Sequence, residues 1–367
     1  MMKWKNQLTG MKPYQPGRSV DEVKKMFGLQ EIVKLASNEN PFGSSPKVHE
    51  FLANLSANHA IYPDGYASGL RHALAESIGI EEEQLLFGNG SDEIIMIISR
   101  ALLQPGVNTV MATPTFSQYR HNAIIEGAQL REVPLRNGAH DLQEMQRQID
   151  KDTAVVWVCS PNNPTGTLTN QQELETFVQQ VPKDVLIVLD EAYFEYINEP
   201  TYKDTIGFIK DHENVIILRT FSKAYGIAGF RVGYAIAQQQ LIHRLDPVRA
   251  PFNNAVISQD VALVALQDSS FINECRIQNE KGKKQFEAYA ALNGLHIYPS
   301  QGNFVLMEVK ADSDFVFEEL MKKGYIIRSG NALGTPGYIR VTIGTTQQNE
   351  DFLLKLTDIL TTNGVIA

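Results

Sequence analysis

Residues Val185-Leu186-Ile187-Val188-Leu189-Asp190 form an unbroken aliphatic run that stops at a carboxylate, with Glu191-Ala192-Tyr193 directly behind it. An apolar run without polar alternation marks a strand covered on both faces, as in a mainly parallel sheet. Runs of the same kind lie on either side. Upstream, Ala154-Val155-Val156-Trp157-Val158-Cys159 ends in Ser160-Pro161-Asn162-Asn163-Pro164-Thr165-Gly166. Downstream, Asn214-Val215-Ile216-Ile217-Leu218 leads through Arg219-Thr220-Phe221 to Ser222-Lys223-Ala224-Tyr225-Gly226. Further strands are expected at 84–87, 109–112, 129–134 and 232–236. Helical patterns at 91–103, 141–149 and 171–180 separate many of them, which is the alternation of an α/β fold.

Beyond Ala237 the character changes. One long helical region is expected over 258–292, followed by strands near 303–309, 325–328 and 338–343, with helices around 314–323 and 348–360. This reads as a second, smaller α+β unit. The expected division is an N-terminal arm at 1–30, a large α/β domain at 61–246, and a small domain formed by 31–60 with 247–367. The arm carries Pro13, Pro16 and Gly17 and reads as an extension rather than a packed element.

A chain of 367 residues suggests about two domains and can bury a large core. With 43% apolar and 20% charged residues, disorder is disfavoured. A formal net charge of −9 argues against a general nucleic-acid or membrane-surface binder, so any anion site has to be a local basic pocket. Two cysteines, Cys159 and Cys275, suit a reducing compartment and leave no disulfide framework or cysteine-rich metal site. The N-terminus has charge without an apolar stretch behind it, and no 18-residue apolar run occurs. The expected location is the cytoplasm.

In an open parallel sheet, ligand groups sit beyond the carboxyl ends of the strands. Asn163, Asp190 and Lys223 come after three strand ends and are separated by 27 and 33 residues, each close to one ~30-residue β-α-β unit. Taken singly, Asn163 is a turn residue, Asp190 a cap and Lys223 a solvated side chain. Together they place an amide, a carboxylate and an amine along one sheet edge. Pyridoxal phosphate chemistry needs this set: a lysine for covalent attachment, and a carboxylate that keeps the pyridine nitrogen protonated. Asn163 and Tyr193 can supply hydrogen bonds to the ring oxygen. Gly88-Asn89-Gly90-Ser91-Asp92-Glu93 precedes a helical run, whose N-terminal N–H groups suit a phosphate. Ser222 and Arg231 add a hydroxyl and a guanidinium. Read alone, 88–92 is also an ordinary helix start.

Other chemistries lack their motifs. Glu93 stands where a dinucleotide fingerprint wants glycine, and no G-x-x-x-x-G-K-[ST] is present. The eight histidines show no H-E-x-x-H spacing, and no G-x-S-x-G elbow occurs. No metal is expected.

The blocks Lys34-Leu35-Ala36-Ser37-Asn38-Glu39-Asn40-Pro41, Tyr62-Pro63-Asp64-Gly65, Gly88–Glu93, Asn163–Gly166, Asp190–Tyr193 and Ser222–Gly233 resemble the fold-type I aminotransferases. From about Pro13 to the C-terminus the chain is most similar to their histidinol-phosphate branch, through Tyr14-Gln15-Pro16-Gly17 and the Ser-Asn-Glu-Asn-Pro block. The resemblance implies that Lys223 carries the cofactor and shuttles a proton, and that Asp190 pairs with the pyridine nitrogen. It also implies that Asn163 and Tyr193 face the ring oxygen, while Ser91, Asp92, Ser222 and Arg231 hold the phosphate. Phe116 takes the ring-stacking place usually filled by tyrosine. Tyr62 is expected to reach the cofactor of a neighbouring subunit, which implies a homodimer with shared sites. Tyr14, Asn38, Arg328 and Arg340 are expected to contact substrate. The implied reaction is amino transfer between L-histidinol phosphate and 2-oxoglutarate, within histidine biosynthesis.

Rival readings use the same machinery. An aromatic amino acid aminotransferase lacks the substrate phosphate, and a phosphothreonine decarboxylase of this fold loses CO₂ instead of a proton. A fold-retaining regulator is expected to carry a DNA-binding domain, for which 367 residues leave no room.

Overall fold

The computed structural model describes residues 2–11, 13, 17–55 and 60–366. In chain order, α1 (Val20–Phe27), β1 (Val33–Lys34), α2 (Pro46–Ala53) and α3 (Ser68–Ile78) lead into the main α/β run. That run comprises β2 (Leu85–Asn89), α4 (Ser91–Leu102), β3 (Asn108–Thr113), α5 (Ser117–Glu126), β4 (Gln129–Pro134) and α6 (Leu142–Arg147). It continues with β5 (Thr153–Cys159), α7 (Gln171–Gln180), β6 (Leu186–Asp190), α8 (Phe208–Asp211), β7 (Val215–Thr220), β8 (Val232–Ala237) and α9 (Gln239–Leu245). The remainder holds α10 (Val256–Leu266), α11 (Ser269–Leu292), β9 (Phe304–Glu308) and α12 (Ser313–Lys322). The last elements are β10 (Tyr325–Ile326), β11 (Arg328–Ser329), β12 (Tyr338–Thr342) and α13 (Thr346–Thr362).

Seven strands form the large sheet in the order β2-β8-β7-β6-β5-β3-β4. Neighbours from β7 to β4 run parallel, and β8 is antiparallel to both β2 and β7. The aliphatic runs have the cause read from the sequence. Successive strand residues point to opposite faces, and both faces are buried. Val156, Val158, Ile187, Leu189, Val215 and Ile217 pack on one side with Leu174 and Phe177 of α7. Val155, Trp157, Leu186, Val188, Ile216 and Leu218 pack on the other with Ile94 and Ile98 of α4 and Ile242 of α9.

The smaller unit has a three-stranded antiparallel sheet, β11-β12-β9, and a parallel pair, β1-β10. Its core joins Phe286 of α11, Val305 and Met307 of β9, and Phe352 and Leu356 of α13. No helix among the described residues is long and apolar enough to cross a membrane.

Several expectations are corrected. The helical region at 258–292 is two helices, because Asp268 caps a new start by accepting from the Phe271 N–H and also accepts from Ser45 and Ser270. The strand expected at 325–328 divides between two sheets, β10 pairing with β1 and β11 with β12, with buried Ile327 between them. The arm is not all extension. Residues 20–27 form a helix capped by Ser19, and Val23 packs with Ala36, Met321 and Ile326. Helices α2 and α10, expected with the small domain, lay Val48, Val261, Ala262 and Ala265 on the core of the large sheet.

Candidate active site

Strands β3, β5, β6 and β7 all point their carboxyl ends at one cavity of about 810 Å³, closed on its far side by Arg328 and Arg340 of the small sheet. Lys223 lies in the turn after β7. Gly226 allows that turn: its φ is +68°, and a Cβ there would come within 1.8 Å of the Gly43 carbonyl oxygen. The Lys223 Nζ donates to the Ser37 carbonyl at 3.1 Å and stands 5.6 Å from the Tyr193 ring centroid. Burial, reinforced by the Arg340 and Arg231 charges, brings this amine down to about 8. A neutral, nucleophilic fraction therefore exists near neutral pH.

Asp190 is buried at the end of β6. Its carboxylate accepts from the Tyr119 hydroxyl at 2.5 Å and from the Ala192 N–H at 3.3 Å, both neutral donors. Burial raises it to about 6, against the hydrogen bond from Tyr119, which lowers it. A buried carboxylate that stays ionised above pH 6 suits a cationic group in the cavity. The Tyr193 hydroxyl accepts from Asn38 Nδ2 at 2.9 Å, and burial holds the phenol protonated. Asn163 accepts from Arg340 Nη1 at 2.5 Å, while Arg340 Nη2 donates to the Ala36 carbonyl at 2.6 Å.

A separate anion seat lies at the start of α4. Gly90 precedes the helix without a side-chain cap, leaving first-turn N–H groups available. A Cβ at Gly90 would lie 2.3 Å from Arg231 Nη2, and one at Gly233 would lie 2.3 Å from the Ser91 nitrogen. Only glycines let the backbone and guanidinium close into this cradle. Arg231 Nη1 donates to Ser222 Oγ at 3.1 Å, and Nη2 to Asp92 Oδ2 at 3.3 Å. Because the Asp92 carboxylate faces Arg231, an anion here would be met by the Asp92 N–H rather than by its side chain. The cradle, the lysine and the buried carboxylate together fit pyridoxal phosphate.

The structure brings Lys223, Asp190, Tyr193, Asn163, Ser91, Asp92, Ser222, Arg231, Phe116, Asn38, Arg328 and Arg340 to this one cavity. Tyr62 is elsewhere: it is 79% exposed and stacks on Phe252 at 4.9 Å. Tyr14 falls outside the described residues. Sequence reasoning missed Tyr119, which is buried beneath Phe116. The available signal was its place three residues after Phe116 at the start of a helix.

Residues 30–356 match the family model described as aminotransferase class I and II. The chain belongs to this family. It is 58% identical over 366 residues to a histidinol-phosphate aminotransferase of Lysinibacillus sphaericus (strain C3-41), covering 100% of each chain. It is 52% identical over 359 residues to the protein of that name from Geobacillus sp. (strain WCH70), covering 98% of each. Among solved structures, it superposes on a Sinorhizobium meliloti histidinol-phosphate aminotransferase in complex with pyridoxal-5'-phosphate with a TM-score of 0.89. That match has 24% identity and covers 99% of both chains, a likeness of fold.

Proposed function

We propose that this protein is a pyridoxal-phosphate-dependent transaminase that exchanges an amino group between L-histidinol phosphate and 2-oxoglutarate, giving imidazole acetol phosphate and L-glutamate. The observation that carries the reading is a single cavity holding an amine, a buried carboxylate and two separate cationic seats. One seat, at Ser91, Ser222 and Arg231, matches the cofactor's phosphate. The other, at Arg328 and Arg340, matches the anion of the substrate. Near-full-length identity to proteins named for this activity supports the substrate choice.

Bound pyridoxal phosphate supplies an electron sink for the bond broken at the amino-bearing carbon. The chain's residues do the rest. Lys223 would hold the cofactor covalently, and its amine, when free, would serve as the base that takes and returns the proton at the substrate carbon. Asp190 would hold positive charge at the ring nitrogen, and Asn163 and Tyr193 would be the donors for the ring oxygen. Phe116 lines the cavity and would cover one face of the ring without offering a hydroxyl. Ser91, the Asp92 N–H, Ser222 and Arg231 hold the phosphate. Asn38 Nδ2 donates to the Tyr193 hydroxyl and so fixes its direction within the cavity. Arg340 and Arg328 clamp the substrate anion, a geometry for which guanidinium is well suited. Tyr62, exposed on its own chain, is available to serve the site of a second copy, which supports a homodimer as the working unit.

The test is a parallel assay of the holoenzyme with L-histidinol phosphate, L-phenylalanine and phosphothreonine. Amino transfer to 2-oxoglutarate at least about tenfold more efficient with histidinol phosphate supports the assignment. Preference for phenylalanine, or CO₂ release from phosphothreonine, overturns it.

A further inference from the structure

Tyr119 does not line the cavity itself but touches two residues that do, Asp190 through its hydroxyl and Phe116 through its ring. Its side chain is fully buried, and two ring contacts fix its direction. The ring stacks on Trp157 at 4.8 Å and 13°, and meets Phe116 edge-on at 5.7 Å. Trp157 is held in turn by its indole N–H, which donates to Thr109 Oγ1 at 2.9 Å, while that hydroxyl donates to the Val155 carbonyl at 2.8 Å. The phenol hydroxyl is thereby aimed at Asp190 Oδ2, 2.5 Å away, with the Cys159 thiol also within its reach. The first turn of α5 thus presents Phe116 to the cavity and Tyr119 to the carboxylate beneath it.

We infer that Tyr119 is a positioning residue that keeps Asp190 ionised and oriented, and so sets how firmly the proton is held at the cofactor's ring nitrogen. The inference rests on the reading of Asp190 as the partner of that nitrogen. A hydrogen bond donated to a carboxylate stabilises its charged form, and in a buried site the effect is strengthened by the low dielectric. Tyr119 is the side chain that most favours the charged form of Asp190, while the Ala192 N–H adds a smaller contribution and Lys223 and Arg231 share the cavity. Asp92 on α4 and Glu191 next in sequence bring like charge that raises it. Cys159 on β5 and Tyr193 after β6 are both pushed up by burial and remain neutral. Tyr119 is itself held well above its ordinary range, first by burial and then by the Asp190 charge, so it remains a donor across the working pH range. Without the hydroxyl, the carboxyl takes up a proton more readily, and the ring nitrogen loses its counter-charge.

The experiment is Tyr119→Phe in the holoenzyme, read against Asp190→Asn. With less positive charge on the ring, the lysine-bound cofactor keeps its proton to higher pH. The midpoint of its visible-absorbance titration should rise by about half a pH unit or more, and kcat should fall roughly 3- to 30-fold with KM within about twofold. Site-specific 3-fluorotyrosine at 119, a stronger donor of nearly the same shape, should move the midpoint downward. An unchanged midpoint and kcat in Tyr119→Phe, with only a lowered Tm, makes Tyr119 a packing residue and overturns the inference. If Asp190→Asn itself leaves midpoint and turnover unchanged, the reading of Asp190 fails first, and the inference falls with it.

Discussion

Arg328 and Arg340 are register partners in the antiparallel pair β11–β12, so two cationic side chains leave the small sheet on the same face. Like charges directly opposed across a sheet are destabilising. Both guanidinium groups line the cavity, and Arg340 is already engaged by Asn163 and the Ala36 carbonyl. An anion bound between the two would relieve the repulsion.

The two arginines should therefore differ on substitution. Arg340→Ala should impair every substrate, because it also releases Asn163. Arg328→Ala should reduce kcat/KM for L-histidinol phosphate by roughly 10- to 150-fold, the worth of about 1.5–3 kcal/mol for a charge-assisted hydrogen bond. The loss for phenylalanine should be smaller. Equal losses on both substrates would remove the phosphate-reading role from Arg328.

Lys223→Ala should abolish amino transfer and the absorbance of covalently held cofactor, leaving the circular dichroism spectrum unchanged. Turnover near the wild-type rate in this variant would take Lys223 out of the mechanism.

Capture of pyridoxal phosphate by the apoenzyme should be pH-dependent. Lys223 attacks only as the free amine, and its position near 8 means that the neutral fraction rises about tenfold per pH unit below 8 and levels off above it. Stopped-flow absorbance between about pH 6 and 10 should show this plateau. A rate still climbing at the alkaline end would return the amine to the ordinary lysine range.

Asp190→Asn keeps the shape of the side chain and removes its charge. Turnover should fall by several orders of magnitude, as when an essential electrostatic partner is lost. A change below about tenfold, measured at saturating cofactor, would mean that another group holds the ring nitrogen.

Behind the site, Arg219 of β7 is buried against Glu191 at 2.8 Å and Asp204 at 2.7 Å, with the Phe194 ring 3.4 Å from its guanidinium carbon. Glu191 also accepts from Thr205 and Tyr202. Glu191→Ala leaves a buried guanidinium short of its main partner, at a cost of about 3–5 kcal/mol. At about 1–2 °C per kcal/mol for a chain of this size, calorimetry should show Tm lowered by roughly 3–10 °C. Glu191→Gln, which keeps the acceptor, should lose less.

The residues by themselves determined the layer architecture and the line of groups at the sheet edge. Continuous aliphatic runs have one stable environment, a strand covered on both faces, and the residues directly after each run have to emerge at the strand's carboxyl end. Asn163, Asp190 and Lys223 were legible for that reason. Glycines at 90, 226 and 233 were visible in the sequence, but the atoms they let approach, Arg231, Gly43 and Ser91, come from other segments.

Tertiary structure alone decided the rest. Tyr119 lies 71 residues from Asp190, and its role depends on the stacking of one ring on Trp157. The opposition of Arg328 and Arg340 is a matter of register, which periodicity within either strand does not set. Val23 made a packed helix out of an expected arm only because Met321 and Ile326 lie opposite it. Periodicity reports the face an element needs to bury. Which partner buries it, and where a hydroxyl or guanidinium then points, is settled by packing between segments distant in the chain.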